Sequence, residues 1–263
     1  MKKVAIVTGA NSGIGKSTAL ALVAKGCKVY DFSRRQIPCE NIIHISCDVT
    51  DESAVIKAVE YVLKEDERID ILVNCAGFGI SGAVEFTSLE SAKKQFDVNF
   101  FGTVNVTKAV LPVMRKQNCG RIVNISSVAS VAHIPFQTYY SATKAAIDSY
   151  TCCLSNEVRP FGITVTCVQP GDISTGFTDA RDKSYDGDDI YGGRISKSVA
   201  TMEKDERKGM SPDVAGEYIA SIALKNKVKP IYAIGISYKA ISTLCKIFPC
   251  GIRTRIIGKL YAE

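Results

Sequence analysis

Val4-Ala5-Ile6-Val7-Thr8-Gly9-Ala10-Asn11-Ser12-Gly13-Ile14-Gly15 lies at the start of the chain. Its first four residues are a continuous apolar run, as in a strand buried on both faces. A polar, glycine-rich turn follows, and 16–25 then reads as a helix stopped by Gly26. Glycine permits the tight turn and lets a pyrophosphate approach the backbone. The helix N-terminus offers unpaired N–H groups to the phosphates. The spacing is Gly9-x-x-x-Gly13-x-Gly15 rather than the commoner G-x-G-x-x-G, so the context carries the reading. Strand, glycine turn and helix in that order point to a dinucleotide site, with a purely structural glycine loop as the alternative.

Working outward, apolar runs at 27–32, 41–46, 69–73, 121–125, 163–168 and 230–234 predict six further strands. Between them, 53–64, 97–114 (interrupted by Gly102), 140–159 and 211–225 predict helices, the last opened by Ser211-Pro212. Strands alternating with helices argue for βαβ units in a parallel sheet with helices on both faces, an α/β fold. No linker divides the chain, so one domain is expected over 1–263. A polar excursion at about 172–210, with one helix, is expected to form a substrate loop, and 236–263 a C-terminal extension.

The 263 residues, 46% of them hydrophobic, suit a large globular core. The net charge of +6 is mild and the cations are interspersed with Asp and Glu, so nucleic acid is not implied. A phosphate-bearing cofactor fits the sign. Ten Cys form no C-x-x-C and only two His occur, which argues against a metal site. The cysteines read as free thiols of a reducing compartment, hence a cytoplasmic protein.

A second stretch, from Ser127 to Lys144, holds a hydroxyl, a phenol and an ammonium. Tyr140 and Lys144 are four apart on a predicted helix and so project from one face. A free phenol ionises near pH ~10, and acidifying it to neutral pH takes about 4 kcal/mol. One ammonium does not supply all of that, so a bound cationic cofactor ring is the natural second contributor. Ser127 and Tyr140 are a donor pair suited to the oxygen of a carbonyl that gains hydride. His133, between them, reads as a loop or pocket-wall residue. The ribose discriminator of a dinucleotide site falls at the end of the second strand. Counting puts Ser33 there, with Arg34 beside it to receive a 2′-phosphate. NADP(H) is therefore favoured, while Asp31 keeps NAD(H) open should the strand register differ by two.

Taken together, these motifs resemble the short-chain dehydrogenase/reductase family over nearly the whole chain. They are Thr8-Gly9-x-x-x-Gly13-Ile14-Gly15, Asp48-Val49, Asn74-Cys75-Ala76-Gly77, Asn99, Ser127, Tyr140-x-x-x-Lys144 and Pro170-Gly171-x-x-x-Thr175. The resemblance implies a Rossmann-type doubly wound seven-stranded sheet and hydride transfer between a nicotinamide and an alcohol or ketone. It implies Tyr140 as general acid/base and Ser127 as hydrogen-bond partner of the substrate oxygen. Lys144 would lower the phenol pKa and bind the nicotinamide ribose, and Asn99 would hold a water leading to solvent. By the same resemblance Gly9, Asn11, Ser12, Gly13, Ile14 and Gly15 take the phosphates, Asp48 and Val49 the adenine side, and Asn74, Ala76 and Gly77 the cofactor edge. Pro170, Gly171, Ile173 and Thr175 would meet the carboxamide. Two departures stand out: Cys75 replaces the family's second Asn, and Ser12 the basic residue that many NADP-dependent members carry.

The tail from 236 to 263 combines helically spaced Ile241, Leu244, Cys245 and Phe248 with basic residues. It reads first as a helix packed on the domain, and second as a lid or membrane-surface contact for an apolar substrate. Its loose similarity to hydroxysteroid and retinol dehydrogenases implies a bulky apolar alcohol or ketone, such as a hydroxysteroid. Relatives commonly pair through the helices after Asn99 and Tyr140, implying a homodimer or homotetramer. The competing readings are a non-catalytic NAD(P)-binding sensor or scaffold, an NAD-dependent dehydrogenase of a small polar alcohol, and a peripheral membrane protein held by its tail. An intact Ser/Tyr/Lys set argues against the first.

Overall fold

The computed structural model describes residues 2–36 and 39–263, with Lys246 described by its backbone alone. Its elements are β1 (Val4–Thr8), α1 (Gly13–Ala24), β2 (Lys28–Ser33), β3 (Ile42–Ser46), α2 (Glu52–Asp66), β4 (Ile71–Asn74) and β5 (Ile80–Ser81). Next come α3 (Leu89–Phe96), α4 (Gly102–Gln117), β6 (Gly120–Ile125), α5 (Thr138–Val158), β7 (Ile163–Gln169), α6 (Phe177–Ala180) and β8 (Asp182–Lys183). The chain ends with α7 (Arg194–Arg207), α8 (Pro212–Leu224), β9 (Ile231–Ala233), α9 (Ile236–Ile247) and α10 (Cys250–Ala262).

Seven strands make one parallel sheet in the order β3-β2-β1-β4-β6-β7-β9, the doubly wound Rossmann-type sheet expected from the sequence. Side chains alternate across it. Val4 and Ile6 pack with Val55, Val59, Val106 and Val110 of α2 and α4, whereas Ala5 and Val7 pack with Leu22 of α1 and Ile219 of α8. Both faces are thus covered, which is why the strands are apolar throughout. The winding leaves β1 outward to β2 and β3, then reverses to β4 on the other side. Such a reversal opens a crevice at the carboxyl ends of the strands.

Local chemistry sets the element ends. The Asp51 carboxylate caps α2 by accepting from the N–H groups of Ser53 and Ala54, and the Ser211 hydroxyl caps α8 by accepting from Asp213 N. Each such cap contributes about 1 kcal/mol. Helices α1 and α8 touch backbone to backbone, because Gly216 lies where a side chain would overlap Ser17 and Thr18.

The structure differs from the sequence expectation in two places. The helix expected over 97–114 runs on through Pro112 to Gln117, and in front of it Asp97–Phe101 forms a π-helical turn preceded by α3. The segment 172–210, expected to carry one helix, holds two, α6 and α7, with β8 between them. Within it β8 pairs with β5, and α7 buries Ile195, Val199 and Met202 beside Ala83. Those three residues sit at helical spacing, but the surrounding charge hides the pattern.

A Cβ at Gly15 would overlap the carbonyl oxygen of Gly9. Gly15→Ala is expected to cost about 1–3 kcal/mol. Thermal melting followed by circular dichroism should show a fall of roughly 2–4 °C per kcal/mol. Gly251→Ala, where nothing lies within 4 Å, should leave the Tm unchanged or slightly raised.

Candidate active site

The crevice is closed at its base by one hydroxyl. Thr8 Oγ1, at the end of β1, accepts from the N–H of Cys75 at 2.9 Å and of Ala76 at 3.0 Å, just beyond β4. Gly9 has a φ of 68°, and a Cβ on it would stand 3.0 Å from Ala76 Cα. The glycine turn and the Ala76–Gly77 segment therefore meet without side chains between them. The N-terminus of α1 has no side-chain cap and no acidic residue in its first turn. Its first N–H groups are orphans by helix geometry, and with the bare glycines they make a cradle that fits a pyrophosphate. Asn11, Gly13 and Ile14 are half-buried on the rim and Ser12 is exposed. Thr175 comes across from the β7 side, so that a Cβ on Gly13 would be 3.6 Å from its methyl group.

The strand register resolves the ribose position. Ser33 is the last residue of β2, paired with Ser46. Asp31 is buried, 3% exposed, and its carboxylate accepts from Ala10 N at 2.9 Å and from Ser33 Oγ at 2.6 Å, with His44 Nδ1 2.9 Å away. Asp31 thus holds the glycine turn from below. The Ser33 hydroxyl is turned inward to it, which corrects the expectation that Ser33 faces the ribose. Arg34 and Arg35, just beyond this end, are exposed.

Other expected cofactor residues are also placed differently by the packing. Asn74 is buried, with Nδ2 donating to Thr107 Oγ1 at 3.1 Å and Asn124 Oδ1 at 2.9 Å, so only its main chain reaches the crevice edge. Ile173 is a core residue bridged to Met210, which removes its side chain from the carboxamide position. Val49 is buried against Gly102, while Asp48 is half-buried and accepts from the N–H and hydroxyl of Thr50. The Pro170 carbonyl accepts from Val128 N at 2.9 Å, tying the β7 exit to the turn carrying Ser127. Gly171 lies under the ring of Tyr238.

Asn99, Ser127, Tyr140 and Lys144 converge on the same end of the sheet. The π turn points Asn99 inward: Oδ1 accepts from Phe78 N at 3.0 Å, while Nδ2 donates to Phe78 O at 3.0 Å and Thr143 Oγ1 at 3.2 Å. A π bulge in a helix is often found at a functional site, and no sequence spacing announces this one. Asn99 therefore fixes the Gly77-Phe78 backbone, and a Cβ on Gly77 would stand 3.1 Å from Asn99 Oδ1 and 3.8 Å from Lys144 Nζ. Ser126 Oγ donates to Lys144 O at 3.0 Å, holding α5 to β6. Ser127 Oγ accepts from Ala129 N at 3.1 Å, and the same hydroxyl lies on the side of the Tyr140 phenol and lowers its pKa. His133 is exposed.

The electrostatics depart from the expected acidified phenol. Burial pushes Tyr140 up to about 12, against the Ser127 hydroxyl and the positive charge of Arg181, which pull it down. Glu206 and Cys75 add to the rise. Lys144 Nζ is 5.6 Å from the centre of the phenol ring and donates to Ile125 O at 2.8 Å. Burial also lowers the Lys144 pKa. The phenol is thus protonated at neutral pH.

The motifs passed over the groups opposite. Phe177 packs 5.8 Å from the Tyr140 ring, centre to centre, and carries the Arg181 guanidinium 5.5 Å from its own centre. Arg181 pairs with Glu206, which also accepts from Thr178 Oγ1 at 2.7 Å. These side chains come from the 172–210 segment, placing it against the site as a wall.

Comparison with known proteins agrees with this geometry. Residues 3–186 match the family described as short chain dehydrogenase. The chain is 44% identical over 243 residues to a 3-ketodihydrosphingosine reductase of Bacteroides thetaiotaomicron, covering 88% of this chain and 90% of that one. A short-chain dehydrogenase structure from Streptomyces avermitilis superposes with a TM-score of 0.84 at 31% identity, covering 97% and 95% of the two chains. The structure of ElxO with NADP bound gives 0.76 at 29% identity, covering 91% of this chain and all of the other, 100%.

The Arg181 side chain is only 1% exposed and that of Glu206 13%. Removing one partner of a buried ion pair typically costs about 3–5 kcal/mol. Glu206→Gln should therefore lower the Tm markedly in calorimetry. Glu52→Gln, at the exposed pair with Lys108, should leave it unchanged.

Proposed function

The chain belongs to the short-chain dehydrogenase/reductase family, and from that premise we propose an NADPH-dependent reductase of a ketone on a long apolar chain, with 3-ketodihydrosphingosine as the first substrate to test. The observation that supports this reading is the convergence of Tyr140, protonated at neutral pH, with Ser127 and Lys144 at one end of the sheet. The bound nicotinamide cofactor supplies the hydride. As the carbonyl oxygen becomes an alkoxide, Ser127 holds it by hydrogen bonding and Tyr140 delivers the proton. The buried Lys144 ammonium then stabilises the phenolate left behind. Phe177 excludes water from the phenol.

The NADP preference is supported by the carboxylate of Asp31 being taken up beneath the glycine turn while Arg34 and Arg35 stand exposed at the end of β2. A carboxylate facing the ribose would select a free 2′-hydroxyl, whereas an arginine there welcomes a phosphate. The substrate class is supported by the Bacteroides relative, whose name specifies a ketone on a sphingoid chain. A long-chain ketone therefore replaces the hydroxysteroid suggested by the tail.

NADPH consumption with 3-ketodihydrosphingosine tests the substrate; no turnover with this or other long-chain ketones would overturn it. Tyr140→Phe should cut kcat by roughly 10²–10⁴-fold and leave the NADPH Kd nearly unchanged. Arg34→Ala should raise the Kd for NADPH about 10-fold or more through the lost charge-assisted bond, with little effect on NADH; equal effects on both would reject the NADP assignment. With the phenol pushed up to about 12, the reduction rate should stay level between about pH 6 and 9. A rate that falls with a midpoint near neutrality would show that the phenol is acidified in the holoenzyme and overturn the protonated donor at pH 7.

A further inference from the structure

The last two helices are inverted. A surface helix ordinarily turns its apolar stripe to the core and its polar face to water. In α9 the residues facing the body of the protein are Tyr238, Ser242 and Cys245: Tyr238 Oη donates to Asp172 Oδ2 at 2.5 Å, and Ser242 Oγ to Gln169 Oε1 at 3.1 Å. The opposite row, at steps of four, four and three, is Ile236, Ala240, Leu244 and Ile247, all exposed. In α10 the buried residues are Ile257 and Ala262, and the exposed row is Ile252, Ile256 and Leu260. Phe248, at the joint between the helices, is exposed as well. Ile236 is 88% exposed, Ile247 70% and Leu260 65%, values that rule out burial of these side chains within the chain itself.

The charge beside these rows is almost all of one sign. Between 235 and 262 the sequence carries five cations, Lys239, Lys246, Arg253, Arg255 and Lys259, and no acid. Arg255 and Lys259 are exposed, each one position before a member of the α10 row. An apolar row flanked by five cations, with Glu263 at the chain's last position as the one acid beside it, is complementary to an anionic bilayer surface, whose acyl boundary takes the side chains and whose headgroups take the charge. No helix among the described residues is long and apolar enough to cross a membrane, so the helices would lie on the surface.

We propose that the outward faces of α9 and α10 dock on an anionic lipid bilayer. The inner face of α9 holds Asp172 and Gln169, next to the Pro170–Thr175 segment at the rim of the crevice. Docking therefore puts the bilayer against the substrate side of the enzyme. This inference does not depend on the identity of the ketone.

Full-length protein is sedimented with phosphatidylglycerol vesicles and with phosphatidylcholine vesicles. Binding to the anionic vesicles is expected, weakened by salt and at least several-fold weaker on the neutral ones, since each cation near an anionic surface strengthens binding by about fivefold. Leu244→Glu with Ile256→Glu, and separately Arg255→Glu with Lys259→Glu, should each reduce binding about tenfold or more. NADPH binding and the melting transition serve as controls that both variants are folded. Wild-type protein that stays in the supernatant, or variants that pellet as well as wild type, would overturn the proposal. So would size-exclusion chromatography showing a lipid-free dimer that both variants dissolve, because the face would then belong to a second copy of the chain. If docking is absent while ketone reduction persists, the functional reading stands and this one falls.

Discussion

The hydroxyl of Thr8 ties the carboxyl ends of two paired strands at the point where the winding of the chain reverses. β1 and β4 are the strands at which the sheet reverses direction, and their carboxyl ends have no helix between them. Thr8 takes both N–H groups of the segment leaving β4, and Gly9 and Gly15 remove the side chains that would wedge the turns apart. Asp31 supports the same turn from the neighbouring strand through Ala10 N. Every later feature of the site is referred to this junction: Gly77 touches Asn99, Asn99 touches Thr143 of α5, and α5 carries Tyr140 and Lys144.

Legibility in the sequence followed the range of the interaction. The glycine turn and the Tyr140–Lys144 pair depend on spacings of a few residues, and both are found where the pattern puts them. The parallel sheet was legible because strands buried on both faces must be apolar along their length. What was hidden depends on partners far apart in the chain. The π turn at Asn99 is held by contacts to Phe78 and Thr143, 21 and 44 residues away. In the sequence Asp31 is a ribose ligand only if the strand register differs by two, and its pairing with Ala10 and His44 shows it to be a support beneath the turn. Arg181 and Glu206 are 25 residues apart in a charged stretch that gives no period to read. Ile173 sits in a matched motif, yet packing against the core takes its side chain away from the crevice.

The electrostatics of the site revise the simple picture of an amine acidifying a phenol. Burial favours the uncharged form of each group, so it raises Tyr140 and lowers Lys144 together. In the proposed reduction the phenol would keep its proton until an oxygen that develops charge competes for it, and the ammonium would gain its value only once the phenolate has formed. Stabilisation that appears along with the transition-state charge accelerates the reaction, whereas stabilisation of the resting phenolate would not favour reduction.

Substrate choice is physically separable from this chemistry. The proton donor and the cradle sit on β1, β4, β6 and α5, elements fixed by the sheet. The wall opposite is a different set: Phe177 against Tyr140, Arg181 on Phe177, Glu206 and Thr178 locking Arg181, and Asp172 joining the wall to Tyr238 of α9. Changes within that set alter the shape and charge that a ketone meets while Ser127, Tyr140 and Lys144 stay where the sheet puts them. One scaffold can therefore serve many ketones, and function must be argued from the wall rather than from the fold. The Arg181–Glu206 pair also acts on the phenol in opposite senses, Arg181 lowering and Glu206 raising its pKa. The wall that faces the phenol thus also bears on its electrostatics.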